Sequence, residues 1–369
     1  MTYLDHGATS FPKPKGVTEA VVRAMETCAN PGRGGYEAAM RAARIILQCR
    51  ERAGELFQCA PEQVVCTTSC THGLNIAIQT LVKPGSHVVV SGFEHNAVMR
   101  PLHALGAKIH VAGRKLFDRD NTLQEFEAAL RKGMDAAVFT HVSNVFGYIL
   151  PVEEMARLCR RYHVPFIVDC AQSAGILPVS LKDWGADFIA MPGHKGLLGP
   201  MGTGLLLCAR APKPLLHGGT GSLSERFEMP DFLPDAGEAG TVNVPGIAGL
   251  SAGISYLQKA NLERIFAHEQ REARRVAEQL NKFGYRVFSG DNQCGTISFV
   301  PDCGCEEMAE FLGKHGICVR AGLHCAPLAH ESAGTLETGT VRVSFGHNAC
   351  ANQTGSLLLT LQKYQNRRI

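Results

Sequence analysis

The 369-residue chain contains no run of eighteen apolar residues, so nothing in it reads as a membrane-spanning helix. Its first residues, MTYLDHGATS, lack the apolar centre of a secretory signal, and the expectation is a cytoplasmic protein. Charge of one sign is not in excess. The 37 basic and 34 acidic residues leave a net charge of +3, which offers no footing for nucleic acid or an anionic membrane. The fourteen cysteines form no C-x-x-C pair, and Cys303-Gly304-Cys305 is the only tight pair, with no second pair at zinc-finger spacing. No metal site is therefore expected. Without a secretory signal the cysteines should be mostly reduced thiols, acting as small buried hydrophobes. Internal repeats and low-complexity segments are also lacking.

What is present is the composition of a globular enzyme, 45% hydrophobic and 19% charged, in a chain too long for one ordinary core. Residues 1–15 read as irregular. Helical spacing runs from Val17 to Cys28 and again from Tyr36 to Phe57. From residue 64 to residue 208 short apolar runs alternate with helical segments, the pattern of a mostly parallel sheet with right-handed crossovers. Residues 210–246 are rich in Gly and Pro. A helical tract over about 247–282 follows, then YRVFS, GTISFV, ICVRAG and TVRVSF alternate with helices over 306–315 and 352–366. The expected fold is α/β: a large domain over 16–246, and a smaller α+β domain made of 1–15 and 247–369.

The most informative stretch runs from His163 to Cys208. Two apolar runs, PFIVD (165–169) and ADFIAM (186–191), read as strands buried on both faces. The first ends at Asp169, three residues before Gln172; the second leads into Pro192-Gly193-His194-Lys195-Gly196. Ligands in α/β sheets sit beyond the carboxyl ends of such strands. An amine opposite a carboxylate there suits a Schiff base on an electron-poor cofactor, with the acid keeping a ring nitrogen protonated. Taken singly, Lys195 could equally be a solvated loop residue and Asp169 a helix cap.

Other segments add candidates with similar alternatives. Thr67–Gly73 joins a strand to a helix through small polar residues, which suits either a phosphate or simple Ser/Thr capping. His95 follows the strand SHVVVSG, where a neutral imidazole could stack on a flat ring or serve as a hydrogen-bonded loop residue. AAVFTHVSN ends at Asn144. In TVRVSF, Arg342 points away from Val341 and Val343, as a carboxylate ligand or as an exposed strand arginine.

Nine segments in order, YLDHGATS, TTSCTHGLN, FEHNAV, HVSNVFG, VDCAQSAG, GHKGLLGPMGTG, EAGTVNVPG, VRAGLHCAP and VRVSFG, together resemble one family. It is the fold-type I, pyridoxal-phosphate enzymes of the aminotransferase class V group, most closely the cysteine desulfurases and selenocysteine lyases. The resemblance covers nearly the whole chain and implies a large domain with a mostly parallel, seven-stranded sheet. It implies that Lys195 carries pyridoxal 5'-phosphate covalently and shuttles the substrate's Cα proton. Asp169 would pair with the pyridine nitrogen, Gln172 and Asn144 would contact the phenolic-oxygen side, and His95 would stack on the ring. Thr71, His194 and the amides near Cys70 and His72 would bind phosphate, and Thr241 would reach the phosphate of a second subunit in a homodimer. Arg342 would grip the substrate carboxylate.

Arg-x-Gly-x-His-Cys matches the family's short-loop type and singles out Cys325, in the loop 321–339, as the nucleophile that takes sulfur as a persulfide. The neighbouring imidazole of His324 would help ionise it. Cys70 and His72 differ from the residues often found beside the phosphate threonine, and Leu323 stands where the family often has His. The implied activity is cysteine desulfuration, L-cysteine to L-alanine, with the sulfur handed on to an acceptor protein. L-selenocysteine cleavage, another class V lyase or epimerase reaction, and a non-catalytic scaffold are the alternatives.

Overall fold

The computed structural model describes residues 1–32, 34–348 and 350–366. After strand β1 (Thr2–Tyr3), helices α1 (Lys15–Thr27) and α2 (Glu37–Phe57) lead into β2 (Val64–Thr67) and α3 (Cys70–Leu81). Strand–helix alternation follows: β3 (His87–Ser91), α4 (Asn96–Ala104), β4 (Lys108–Ala112), α5 (Arg119–Leu130), β5 (Ala136–Thr140), α6 (Val152–Tyr162) and β6 (Phe166–Asp169). The short α7 (Leu181–Trp184), β7 (Phe188–Pro192) and β8 (Gly204–Cys208) complete this part.

These strands form a 7-stranded sheet in the order β2-β8-β7-β6-β5-β3-β4. It is parallel except for β8, which runs antiparallel to β2 and to β7. Strands β5, β6, β7 and β8 are buried at every residue, as a sheet covered by helices on both faces requires. One face packs against Phe57, Phe126 and Phe146, the other against Leu74, Ile78 and Val98. Helix α6 carries Glu153 and Glu154 in its first turn and Arg160 and Arg161 in its last, complementing the helix dipole.

The rest of the chain comprises α8 (Val244–Lys259), α9 (Leu262–Lys282), β9 (Arg286–Phe288), β10 (Thr296–Val300), α10 (Cys305–Lys314), β11 (Ile317–Cys318), β12 (Arg320–Gly322), α11 (Pro327–Ala333), β13 (Thr340–Ser344) and α12 (Ala351–Asn366). A 4-stranded sheet, β12-β13-β10-β9, covers a core of Ile297, Phe299, Val341, Val343 and Leu361.

The sequence reading differs from the structure at four places. The N-terminal segment is tied down, because β1 pairs in parallel with β11 and Leu4 enters the C-terminal core. The tract 247–282 is two helices, broken where Asn261 turns its side chain to cap Arg264 of α9. Strand β4 has no clear sequence signal because its KIHVA is only partly buried at the sheet edge and lacks a long apolar run. The segment 321–339 is not structureless: it contains α11, with Ala329 and His330 fully buried.

Candidate active site

Strands β6 and β7 are parallel neighbours, with Asp169 in register with Ala190, so their carboxyl ends open on the same side of the sheet. Asp169 is almost fully buried. Its Oδ1 accepts from the Ala171 amide at 2.8 Å and from the Cys70 thiol at 3.4 Å. Its Oδ2 has no hydrogen-bond partner among the described residues.

Lys195 lies in the turn after β7 and lines a cavity with His6, Gln172, Glu269, Thr296 and His347. Its amine makes no hydrogen bond or ion pair among the described residues. Burial, reinforced by the nearby Arg342 charge and opposed by Asp169, pulls its affinity for a proton below that of an ordinary lysine. The flanking glycines are steric requirements. A Cβ at Gly193 would strike the Thr203 hydroxyl, and one at Gly196 would strike the Ala174 carbonyl. Gln172 donates from Nε2 to the Gly7 carbonyl at 3.0 Å. His194 is fixed twice: its Nδ1 lies 3.1 Å from the Thr9 hydroxyl, and its carbonyl accepts from Lys13 at 2.7 Å. Burial pushes its imidazole down to about 4, so the ring is neutral at physiological pH.

Helix α3 points its N-terminus into the same region. Ser69 caps it, accepting from the His72 amide at 3.1 Å. The amides of Cys70 and Thr71, in the first turn, have no intrahelical acceptor. The Thr71 side chain is exposed, and His72 turns Nδ1 toward Thr68 at 3.3 Å. His95 caps α4 through Nδ1, which accepts from the Ala97 amide at 2.9 Å. That bond assigns the remaining ring proton to Nε2. Burial lowers its basicity further, so His95 is a neutral ring.

The second half of the site comes from the small sheet. Arg342 on β13 is 2% exposed, on the face opposite the buried Val341 and Val343. Its cross-strand neighbour is Arg320. Two cations side by side repel, and Asp5 answers both, at 2.7 Å from Arg342 and 2.8 Å from Arg320. Arg342 also donates from Nη1 to the Asn144 carbonyl at 2.9 Å, while its Nε is buried without a partner. Asn144 donates from Nδ2 to the His324 carbonyl at 2.8 Å, and its Oδ1 is buried and unpartnered.

Cys325 is exposed. His324 and Cys325 both adopt left-handed backbone angles, with φ of 50° and 56°, conformations that non-glycine residues hold only where neighbours enforce them. The enforcing contacts are the Asn144–His324 bond and a bond of 2.8 Å from the Asn96 amide to the Cys325 carbonyl. These place Cys325 beside the start of α4, next to His95. The structure corrects the expected role of His324. Burial and the Arg342 charge push its imidazole down to about 2, and its Nε2 lies 3.2 Å from the Thr340 hydroxyl. A neutral ring offers a thiolate no countercharge. Among the described residues, Arg320 is one cation with a small electrostatic interaction with Cys325.

Lys195, Asp169, Gln172, His95, Asn144, Cys70, His194, Cys325 and Arg342 are thus linked by contacts or shared surroundings. Thr241 is not. It is exposed and lines a separate groove with Asn30, Gly219 and Asp235. Five residues escaped the sequence reading: Asp5, His6, Glu94, Glu269 and Arg320. Glu94 is fully buried, its Oε1 accepting from the Ser91 hydroxyl at 2.5 Å and the Thr140 amide at 2.9 Å. Asp5 lay in YLDHGATS, and an acid inside a short apolar-flanked segment was the available signal. Nothing in the sequence marked Arg320 as the second partner of Asp5. Among the described residues no group of His, Cys, Asp and Glu has metal-binding geometry, and no helix is long and apolar enough to cross a membrane.

The chain is 32% identical over 380 residues to a "Probable cysteine desulfurase" of Methanothermobacter thermautotrophicus, covering 98% of this chain and 94% of that protein. It superposes on a solved cysteine desulfurase of Thermococcus onnurineus with a TM-score of 0.91 at 30% identity, covering 99% of this chain and 94% of the other. A cysteine desulfurase of Escherichia coli gives a TM-score of 0.84 at 25% identity, covering 98% and 94%. The aminotransferase class-V family pattern matches residues 2–357. By sequence and fold, the chain belongs to the aminotransferase class-V family.

Proposed function

We propose that this protein is a pyridoxal-phosphate-dependent cysteine desulfurase that acts as a homodimer and passes sulfur from Cys325 to an acceptor protein. What supports this reading is an unpaired, half-buried lysine and a buried carboxylate with one free oxygen at the ends of adjacent strands, with an exposed cysteine on a loop tethered to Asn96 and Asn144.

The residues present fit the cofactor. Asp169 has Oδ2 free for a protonated ring nitrogen. Asn144 Oδ1 is an orphaned buried acceptor. The first-turn amides of α3, with Thr71 beside them, suit a phosphate. When bound, pyridoxal phosphate supplies an electron-poor ring that accepts the electron pair released at the substrate's Cα.

The remaining chemistry belongs to the side chains. Arg342 keeps Nε and its remaining N–H groups for the substrate carboxylate, with Asp5 holding the guanidinium in place. Lys195, its basicity lowered by burial and Arg342, exchanges a proton with Cα. His95 would offer its flat neutral face to the ring. Cys325, as thiolate, attacks the substrate sulfur; the carbon–sulfur bond breaks, the new sulfur–sulfur bond forms, and alanine leaves after protonation at Cβ. His194 and His72 would serve the phosphate, Gln172 the ring oxygen, and Thr241, in its separate groove, would serve the partner subunit's cofactor. A large domain over 16–246 and a small one over 1–15 and 247–369 would carry these two halves.

The test is the visible spectrum of the protein supplied with pyridoxal phosphate. Wild type should show an absorbance band that changes on adding L-cysteine. Lys195→Ala should lose it, with alanine formation down by at least about a thousandfold. A wild-type protein without such a band would refute the reading.

A further inference from the structure

The first residue of α3 is a cysteine whose side chain, as distinct from its amide, takes no part in the proposed chemistry. Cys70 is 8% exposed. It is held by the packing of α3 on β7 and β8, where a Cβ at Gly73 would lie 3.4 Å from Ala190 and 3.5 Å from Leu206. Its Sγ lies 3.4 Å from Asp169 Oδ1, within the reach of a sulfur hydrogen bond. The direction of the bond is settled by chemistry. Burial, and then the Asp169 charge, keep Cys70 a protonated thiol, so it donates and the carboxylate accepts. The same Oδ1 receives the Ala171 amide at 2.8 Å. Two donors on one oxygen fix the torsion of the carboxylate and leave the other oxygen unclaimed.

We infer that Cys70 is a positioning residue that acts through Asp169: its thiol anchors Oδ1, so that Oδ2 is the oxygen presented to the ring nitrogen. The thiol also draws charge from the carboxylate, which moderates how firmly Asp169 holds the ring proton. This inference rests on the function proposed above, but the Cys70–Asp169 bond can be tested without it.

Two measurements decide the matter. The first uses protein without added pyridoxal phosphate. Infrared difference spectra of wild type minus Cys70→Ala isolate the S–H stretch of this one thiol among fourteen cysteines. The band should lie at lowered frequency and move up when Asp169→Asn replaces the charged acceptor with a neutral one. A band unmoved by Asp169→Asn would overturn the inference. The second uses protein loaded with pyridoxal phosphate. Cys70→Ala should lower kcat by about three- to tenfold with KM little changed, in keeping with loss of one hydrogen bond of ordinary strength from a weak thiol donor. It should also shift the pH at which the visible band changes, whereas Cys70→Ser, which restores a donor, should return both toward wild type. Equal kcat and equal band titration in wild type and Cys70→Ala would also overturn it. If the wild type forms no visible band, the functional proposal fails, and the infrared result still decides the bond.

Discussion

The two halves of the site are built in different ways. The Lys195 half is mainly local: Asp169, Gln172, His194 and Lys195 lie within 27 residues at the ends of two adjacent parallel strands, the sheet sets the spacing of those ends, and Gly7, Thr9 and Lys13 only brace Gln172 and His194. The Cys325 half is assembled across the chain. Arg342 is held by Asp5, 337 positions away, and His324 by Asn144, 180 positions away. A site made from strand ends inherits the rigidity of its sheet. A site made by long-range tethers depends on each tether.

The sharpest way to break this contrast is to cut one tether. Asp5→Ala should leave pyridoxal-phosphate binding, read from the visible band, nearly intact. It should raise KM for cysteine by roughly tenfold to a hundredfold, because two adjacent arginines lose their shared countercharge. If cofactor binding fell as much as cysteine affinity, the halves would not be separable.

A weaker effect is expected from Glu269, which lines the Lys195 cavity and whose acidity burial pushes to about 8. The folded protein keeps this acid protonated at pH values where the unfolded chain has released the proton. Its stabilising contribution is therefore full below the ordinary carboxylate range and is lost as pH rises through about 8. The melting temperature of wild type should fall relative to Glu269→Gln as pH rises across that window. On the acid side the sign reverses for His141 and His330, both pushed to about 4 by burial. Their neutral forms stabilise the fold above the ordinary histidine value, and stability is lost as pH falls toward about 4. A difference between wild type and Glu269→Gln that is independent of pH would contradict the first assignment.

The smallest change should come from His324→Asn. Asn tolerates the left-handed backbone, and the imidazole it removes is not the countercharge of Cys325. Alanine release should fall by less than about threefold, a range typical of losing one weak neutral contact, and by more in Arg320→Met. The reverse order would restore His324 to the role the sequence suggested.

Legibility in the sequence followed the same division. The buried strands β5, β6 and β7 wrote themselves as apolar runs, and polar residues at their ends marked Asp169, Asn144 and Lys195. The Gly residues around His194-Lys195 were readable as a motif, though only the structure shows which atoms they must clear. Arg342 was readable from strand alternation. The pairing of Asp5 with two arginines was not, because no local pattern records which distant side chain shares a charge. The same applies to the neutral state of His324, which follows from the surroundings closing over it. Strand β4 escaped because edge strands are half solvated and carry no continuous apolar signal.

Cys325, carried by the tethered loop, is proposed to receive sulfur at the Lys195 site. A single turnover of protein loaded with pyridoxal phosphate against L-cysteine, followed by peptide mapping for persulfide, tests it most directly. The prediction is one persulfide on the peptide containing Cys325, formed together with one equivalent of alanine, and neither product at the wild-type rate in Cys325→Ala. Persulfide on a different cysteine, or undiminished alanine release from Cys325→Ala, would contradict the claim.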